Sequence, residues 1–256
     1  MTDDPLAPLM ELPGVAAASD RARDALGRAH RHRANLRGWP VTAAEAALRA
    51  ARASSVLDGG PVRLEDLLGA APQDRAVSDP VFGGALRVAQ ALEGGAGSLI
   101  GVWQRAPLQA LARLHMLAAA DQVGDDRLGR PRTDAAVGPR LELLVDVVSG
   151  RTVASAPVVA AVAHGELLTL QPFGSADGVV ARAVSRLVTI ATGLDPHGLG
   201  VPEVSWMRQA AAYRDAARGF AGGTPKGVGA WLVLCCRALQ AGAQEALSIA
   251  ESLPSR

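Results

Sequence analysis

Most of the chain falls into helix-compatible segments separated by glycine and proline breakers, and this punctuation constrains the fold more than any other feature. Ser19-Asp20 opens a segment that reaches Leu36 before Gly38, Trp39 and Pro40 interrupt it. Thr42-Ala-Ala-Glu45 reads as a capping box, in which hydroxyl and carboxylate satisfy each other's exposed backbone N–H groups. It predicts a second helix to Leu57, stopped by Asp58-Gly59-Gly60-Pro61. Residues 61–79 read as a short helix and a polar loop. Further helices are predicted over about 80–93, 107–121, 139–149, 156–170, 179–193, 202–219 and 225–252. Composition agrees: only 3% of residues are aromatic, and Ala and Leu abound where Ile, Tyr and Phe are scarce. Those preferences favour helices over strands. The expected fold class is all-α, with an N-terminal helical extension over 1–79 and a core over 80–256.

Charge and cysteine usage narrow the function classes. Lys+Arg at 26 against Asp+Glu at 25 leaves +1, so no whole-protein field attracts nucleic acid or an anionic membrane. Arg21, Arg23, Arg28, Arg31, Arg33 and Arg37 cluster in the first segment without interleaved aromatics, which reads as a solvated helix face. No apolar stretch has the 18 or so residues of a membrane span, and MTDDPLAPLM is acidic where a secretory signal is basic. Cys235 and Cys236 are adjacent, which suits neither a disulfide framework nor a zinc site. The expected location is cytoplasmic, with no nucleic-acid or membrane partner.

Common catalytic signatures are missing. Gly94-Gly95-Ala96-Gly97 and Gly222-Gly223-Thr224-Pro225-Lys226 have neither P-loop nor dinucleotide-fingerprint spacing. No His-x-x-x-His pair occurs among His30, His32, His115, His164 and His197, and no Gly-x-Ser-x-Gly elbow is present.

One stretch carries more information: Ala163-His164, then Gln171-Pro172-Phe173-Gly174-Ser175-Ala176-Asp177-Gly178-Val179 and Arg182, then Gly193-Leu-Asp-Pro196. It resembles the core of the Fic (Fido) family, whose signature is a helix ending in His-Pro-Phe, a loop x-(Asp/Glu)-Gly-Asn-Gly and a helix opening with Arg-x-x-Arg. Pro172, Phe173, Gly178 and Arg182 fall in register. Ser54 to Gly59 resembles the family's inhibitory motif (Ser/Thr)-x-x-x-Glu-(Gly/Asn), with Asp58 in place of Glu, on a helix at about 42–58. Leu114-His115-Met116 and Gly129-Arg130-Pro131-Arg132 resemble two further family stretches. The resemblance implies a Fic-like helical domain covering most of 42–252. It also implies a nucleotide cradle at Gly174, Ser175, Asp177, Gly178 and Arg182, and an inhibitory pairing of Asp58 with Arg182.

A loop ending at a helix N-terminus is, on general grounds, a cradle for phosphate. The family adds AMP transfer from ATP by a histidine base, a metal-holding loop acid and two phosphate-binding arginines. Here Gln171 stands at the base position, and an amide has no pKa near neutrality with which to accept a proton. Ser175 replaces the metal-binding acid, Asp177 the asparagine and Val179 the first arginine. The stretch from Arg132 to Gly138 is short for the β-hairpin flap that holds a target segment. The expectation is a pseudoenzyme or regulatory binding protein, inactive in AMP transfer, that acts through contacts with a protein target or regulator or through a retained anion or nucleotide pocket. Two alternatives stand beside it. One is a divergent nucleotidyl- or phosphotransferase using ATP or another nucleotide, with Asp177 holding Mg²⁺ and either His164 or a group of the target as base. The other is an interaction module with no nucleotide pocket. Tyr213, Trp103, Trp206 and Trp231 read as packing residues.

Overall fold

A computed structural model describes residues 4–61, 79–93, 99–150 and 152–252. Within them a 3-10 turn, Ala7–Glu11, precedes eleven α-helices. These are α1 (Val15–Arg31), α2 (Asn35–Leu57), α3 (Pro80–Leu92), α4 (Leu99–Arg105), α5 (Pro107–Ala119) and α6 (Val137–Ser149). They continue as α7 (Ala156–Leu170), α8 (Asp177–Ala191), α9 (Pro202–Arg208), α10 (Ala210–Ala221) and α11 (Pro225–Ser252). No β-strand occurs among the described residues, so the class is all-α. The segment expected over 61–79 lies outside them except for its end residues, as does Gly94-Gly95-Ala96-Gly97. No described helix is long and apolar enough to cross a membrane.

The architecture follows from two helices that are buried nearly all round. α7 is apolar on every face from Pro157 to Ala163, a pattern that only a central helix can satisfy. α8 follows it after a six-residue connection, and its residues from Val179 to Ile190 are buried without interruption. The other helices surround this pair, and one apolar cluster joins Leu6 and Val15 near the N-terminus to Ala51, Phe82, Leu114, Val184 and Trp231. Burying the α7–α8 pair fixes the loop between them against a rigid surround.

The boundary between α1 and α2 corrects the expected one. α1 starts at Val15, because Ser19 is buried and its hydroxyl meets Ser155 instead of capping a helix. α2 starts at Asn35 and runs through Gly38, Trp39 and Pro40. Asn35 is responsible: its Nδ2 donates to the Ala29 carbonyl at the end of α1 (2.9 Å), and its Oδ1 accepts from Thr42 Oγ1 (2.7 Å). Thr42 is therefore committed inside a helix, and the capping box does not form. Pro40 forfeits the single bond to Leu36, whose side chain is largely solvent-exposed. Farther on, the segment expected over 202–219 divides at Gln209, and the short α4 escapes sequence reading because its signal is one buried pair, Leu99 and Trp103.

Candidate functional site at the start of α8

The site begins where α7 ends. Gln171 caps the helix in a left-handed conformation (φ 46°), and its N–H donates to the Leu167 carbonyl at 2.9 Å. The last carbonyls of α7 are collected by Arg132. Its Nη2 donates to Leu170 O (3.0 Å), its Nε to Gln171 O (2.9 Å) and its backbone N–H to Pro172 O (2.7 Å), while Nη1 pairs with Asp134. A guanidinium at a helix C-terminus satisfies orphan carbonyls and complements the dipole. Sequence reading placed Arg132 only within a resembled stretch and gave it no such task.

Beyond Gln171 the chain turns twice through positive φ, at Gly174 (70°) and Ala176 (50°). Ala176 stands where the resembled motif has glycine, and an L-residue in that region costs about 1–2 kcal/mol. It went unremarked in the sequence although the motif itself exposes it. The turns bring Asp177, first residue of α8, back over the loop, and its Oδ1 accepts from the Phe173 N–H at 2.9 Å. Burial pushes the Asp177 carboxyl above its usual range and Asp58 adds to this; the loop amides and Arg132 offset it only in part. The loop thus turns an amide donor onto its own carboxylate.

The rest of the loop is equally committed. Phe173 is buried and stacks on His115, with ring centroids 4.1 Å apart and planes 4° from parallel. The Gly129 amide donates to His115 Nδ1 (2.9 Å), so the proton of the neutral ring sits on Nε2 and is donated to Ser175 Oγ (3.0 Å). Burial lowers the His115 pKa, which keeps it neutral. In this tautomer His115 is a donor to Ser175 and cannot act as its base. It reaches the loop from 60 residues away in sequence, which is why proximity along the chain pointed to His164 instead.

His164 lies elsewhere. It is fully buried among Trp206, Trp231 and Tyr213, with Nε2 2.8 Å from the Tyr213 hydroxyl. Burial, reinforced by Arg182, holds its pKa well below the ordinary histidine value. A sealed, neutral ring facing three aromatics does not reach a target hydroxyl, so the displaced-base reading of His164 is corrected.

One and a half turns into α8, Arg182 spans the gap to α2. Its Nε donates to Ser54 Oγ (2.8 Å) and its Nη2 to the Ser54 carbonyl (3.0 Å), and Nη2 lies 2.8 Å from Asp58 Oδ1. Nη1 reaches the Tyr213 hydroxyl at 3.5 Å, and Arg214 donates to the Leu57 carbonyl at 3.2 Å. Burial opposes the charge on Arg182, yet Asp58 and Tyr213 hold the guanidinium above even the usual arginine range. Gly178 permits the approach: a Cβ there would stand 2.3 Å from Asp58 Oδ1. Gly59 (φ 92°) then turns the chain away from the end of α2.

These placements bear on what the site can hold. Gln171 is exposed and the Asp177 carboxylate is folded onto the loop. No group of three or more His, Cys, Asp or Glu able to hold a metal occurs among the described residues. The residues present therefore do not fit Mg²⁺ and a nucleotide triphosphate in this arrangement: one acid faces inward and the guanidinium of Arg182 is spent on α2. A cavity of about 280 Å³ adjoins Phe173, between α5 and α6, but its lining is mostly apolar, from Leu108, Leu111, Val137 and Leu141, and it does not include Gly174–Gly178.

The helical arrangement is that of the Fic fold. Among solved structures, a Fic family protein from Desulfovibrio desulfuricans G20 is similar, with a TM-score of 0.70 over 95% of this chain and 77% of that one. The two are 18% identical, and the likeness is one of fold. No protein-family model matches the chain, and no curated protein matches it.

Proposed function

We propose that this chain is a Fic-fold pseudoenzyme: it does not transfer AMP and acts by binding and regulating another protein. The observation that carries the reading is the Asp177 carboxylate seated on the Phe173 amide, which places an acidic oxygen where a nucleotide phosphate would have to enter. The amide side chain of Gln171 at the base position supports it, since it offers no proton acceptor for an attacking hydroxyl. Two buried free thiols, Cys235 and Cys236, suit a cytoplasmic setting; burial pushes the Cys236 thiol up to about 12 and leaves it inert near neutrality.

A second reading draws on a different observation, the complete set of Arg182 bonds to Ser54 and Asp58. A latch of that kind has a purpose if α2 restrains a site that opens when it lets go, as in a divergent nucleotidyl- or phosphotransferase. Calorimetric titration of the wild type and of Asp58→Ala with ATP and other nucleotides, each with and without Mg²⁺, separates the two. The pseudoenzyme reading expects no heat of binding from either protein. Micromolar binding that emerges when Asp58 is removed overturns it in favour of the latch.

A further inference from the structure

The helix that carries Ser54 and Asp58 also has an outward face that no part of the function above uses. Between Leu36 and Leu48 α2 exposes Leu36 (66%), Val41 (51%) and Leu48 (44%), with Pro40 and Ala44 exposed between them. At 3.6 residues per turn, Leu36, Pro40, Ala44 and Leu48 form one continuous i±4 ridge, and Arg37, Val41 and Glu45 form the next. The adjoining face, including Ala43, Ala46 and Ala50, is buried against the rest of the molecule. Single exposed apolar residues need no explanation, but a contiguous ridge of them beside a groove does. A helix that only had to be solvated there would carry polar side chains.

We propose that a second copy of this chain docks on this face, α2 against α2, about a two-fold axis near residue 42. The argument for a copy over any other protein is self-complementarity. An antiparallel pairing about that axis sets Leu36 against the partner's Leu48 and Pro40 against the partner's Ala44. The same pairing brings exposed Arg37 within about a turn of the partner's Glu45, and symmetry repeats the contact at the other end. Cation and anion border the groove in the order that a two-fold axis requires. Seating each i±4 ridge in the other's groove gives a crossing near −50°. Five side chains per copy cover less than the ~800 Å² per partner of a standard interface, so the dimer is reversible and concentration-dependent.

Sedimentation equilibrium of the full chain, from about 1 μM to about 1 mM, tests this. The wild type is expected to pass from monomer to dimer within the range. Leu48→Glu and Arg37→Glu should each raise the midpoint about tenfold or more, and Arg37→Glu combined with Glu45→Arg should return it towards the wild-type value. Arg49, which now bonds Glu45, keeps Glu245 as a partner in that double variant. Circular dichroism of each variant should match the wild type, because Arg37 and Leu48 are exposed and Glu45 is half-exposed with its ion-pair partner, Arg49, still held by Glu245. A protein that stays monomeric throughout, including one whose ridge is covered by some other protein, overturns the proposal. So does a dimer indifferent to Leu48→Glu. Neither outcome depends on nucleotide binding.

Discussion

Helix α8 carries two polar sites five residues apart, and they contrast. Around its first turn, four positions depart from the resembled motif: Gln171, Ser175, Asp177 and Val179 stand there. At Arg182, where the partners are Ser54 and Asp58 of the same chain, the cation, the anion and their contact are all present. Physical cost accounts for the difference. A loop position that serves an external ligand can change with little effect on stability, because water or a neighbouring amide takes over. A guanidinium that is 2% exposed cannot lose its carboxylate without leaving an uncompensated buried charge.

The largest expected effect tests the second half of that contrast. Asp58→Ala should destabilise the fold by about 3 kcal/mol, the low end for breaking a buried pair, since Asp58 keeps part of its surface in water. For a chain of this size that lowers Tm by about 6–12 °C in a thermal melt; a melt unchanged within error would place Arg182 on the same footing as the loop. A smaller effect has a sign that depends on background. In the wild type, Gly178→Ala drives a Cβ into Asp58 and should cost about 1 kcal/mol, the overpacking outweighing the better helix propensity of alanine. In Asp58→Ala the obstruction is gone, and the same substitution should stabilise by up to about 1 kcal/mol, a coupling that a double-mutant cycle reads directly. Two additive effects would mean that the close approach at Gly178 carries no energy.

The smallest effect concerns the loop. The Asp177 carboxyl is raised in the folded protein, so its contribution to stability is fully present below the ordinary carboxylate value of about 3.9 and is lost as pH rises through the folded value. Asp177→Asn, which can still accept from the Phe173 amide, removes that loss. Its Tm should exceed the wild type at pH 7, and the two should converge as pH falls below about 3.9. A wild type that is the more stable of the two at pH 7 would show that the charge on Asp177 is wanted where it is.

How much of this was legible in the sequence depends on how local the signal was. The bounds of α7 and α11 coincide with those expected, because Pro157 and Pro225 sit in the first turn of each helix and the apolar runs behind them are unbroken. The junction of α1 and α2 was misread because its determinant is tertiary: Asn35 bonds backward to Ala29 and forward to Thr42, and only burial makes those bonds outweigh Gly38 and Pro40. At the site, the nearness of Asp58 to Arg182 was readable as two ends of a resembled pattern. His115 and Arg132 were not, since each reaches the loop from a segment distant in sequence, and Arg132 acts on backbone carbonyls that leave no trace in residue type.

The bonds of Arg132 have a mechanical consequence. The segment between α5 and α6 and the end of α7 are joined through one residue that holds the carbonyls of Leu170, Gln171 and Pro172 together. Lifting that segment would break all three bonds at once and leave the Leu170 carbonyl to water. The two pieces of chain are thus tied together at one residue, directly beside the loop that follows α7.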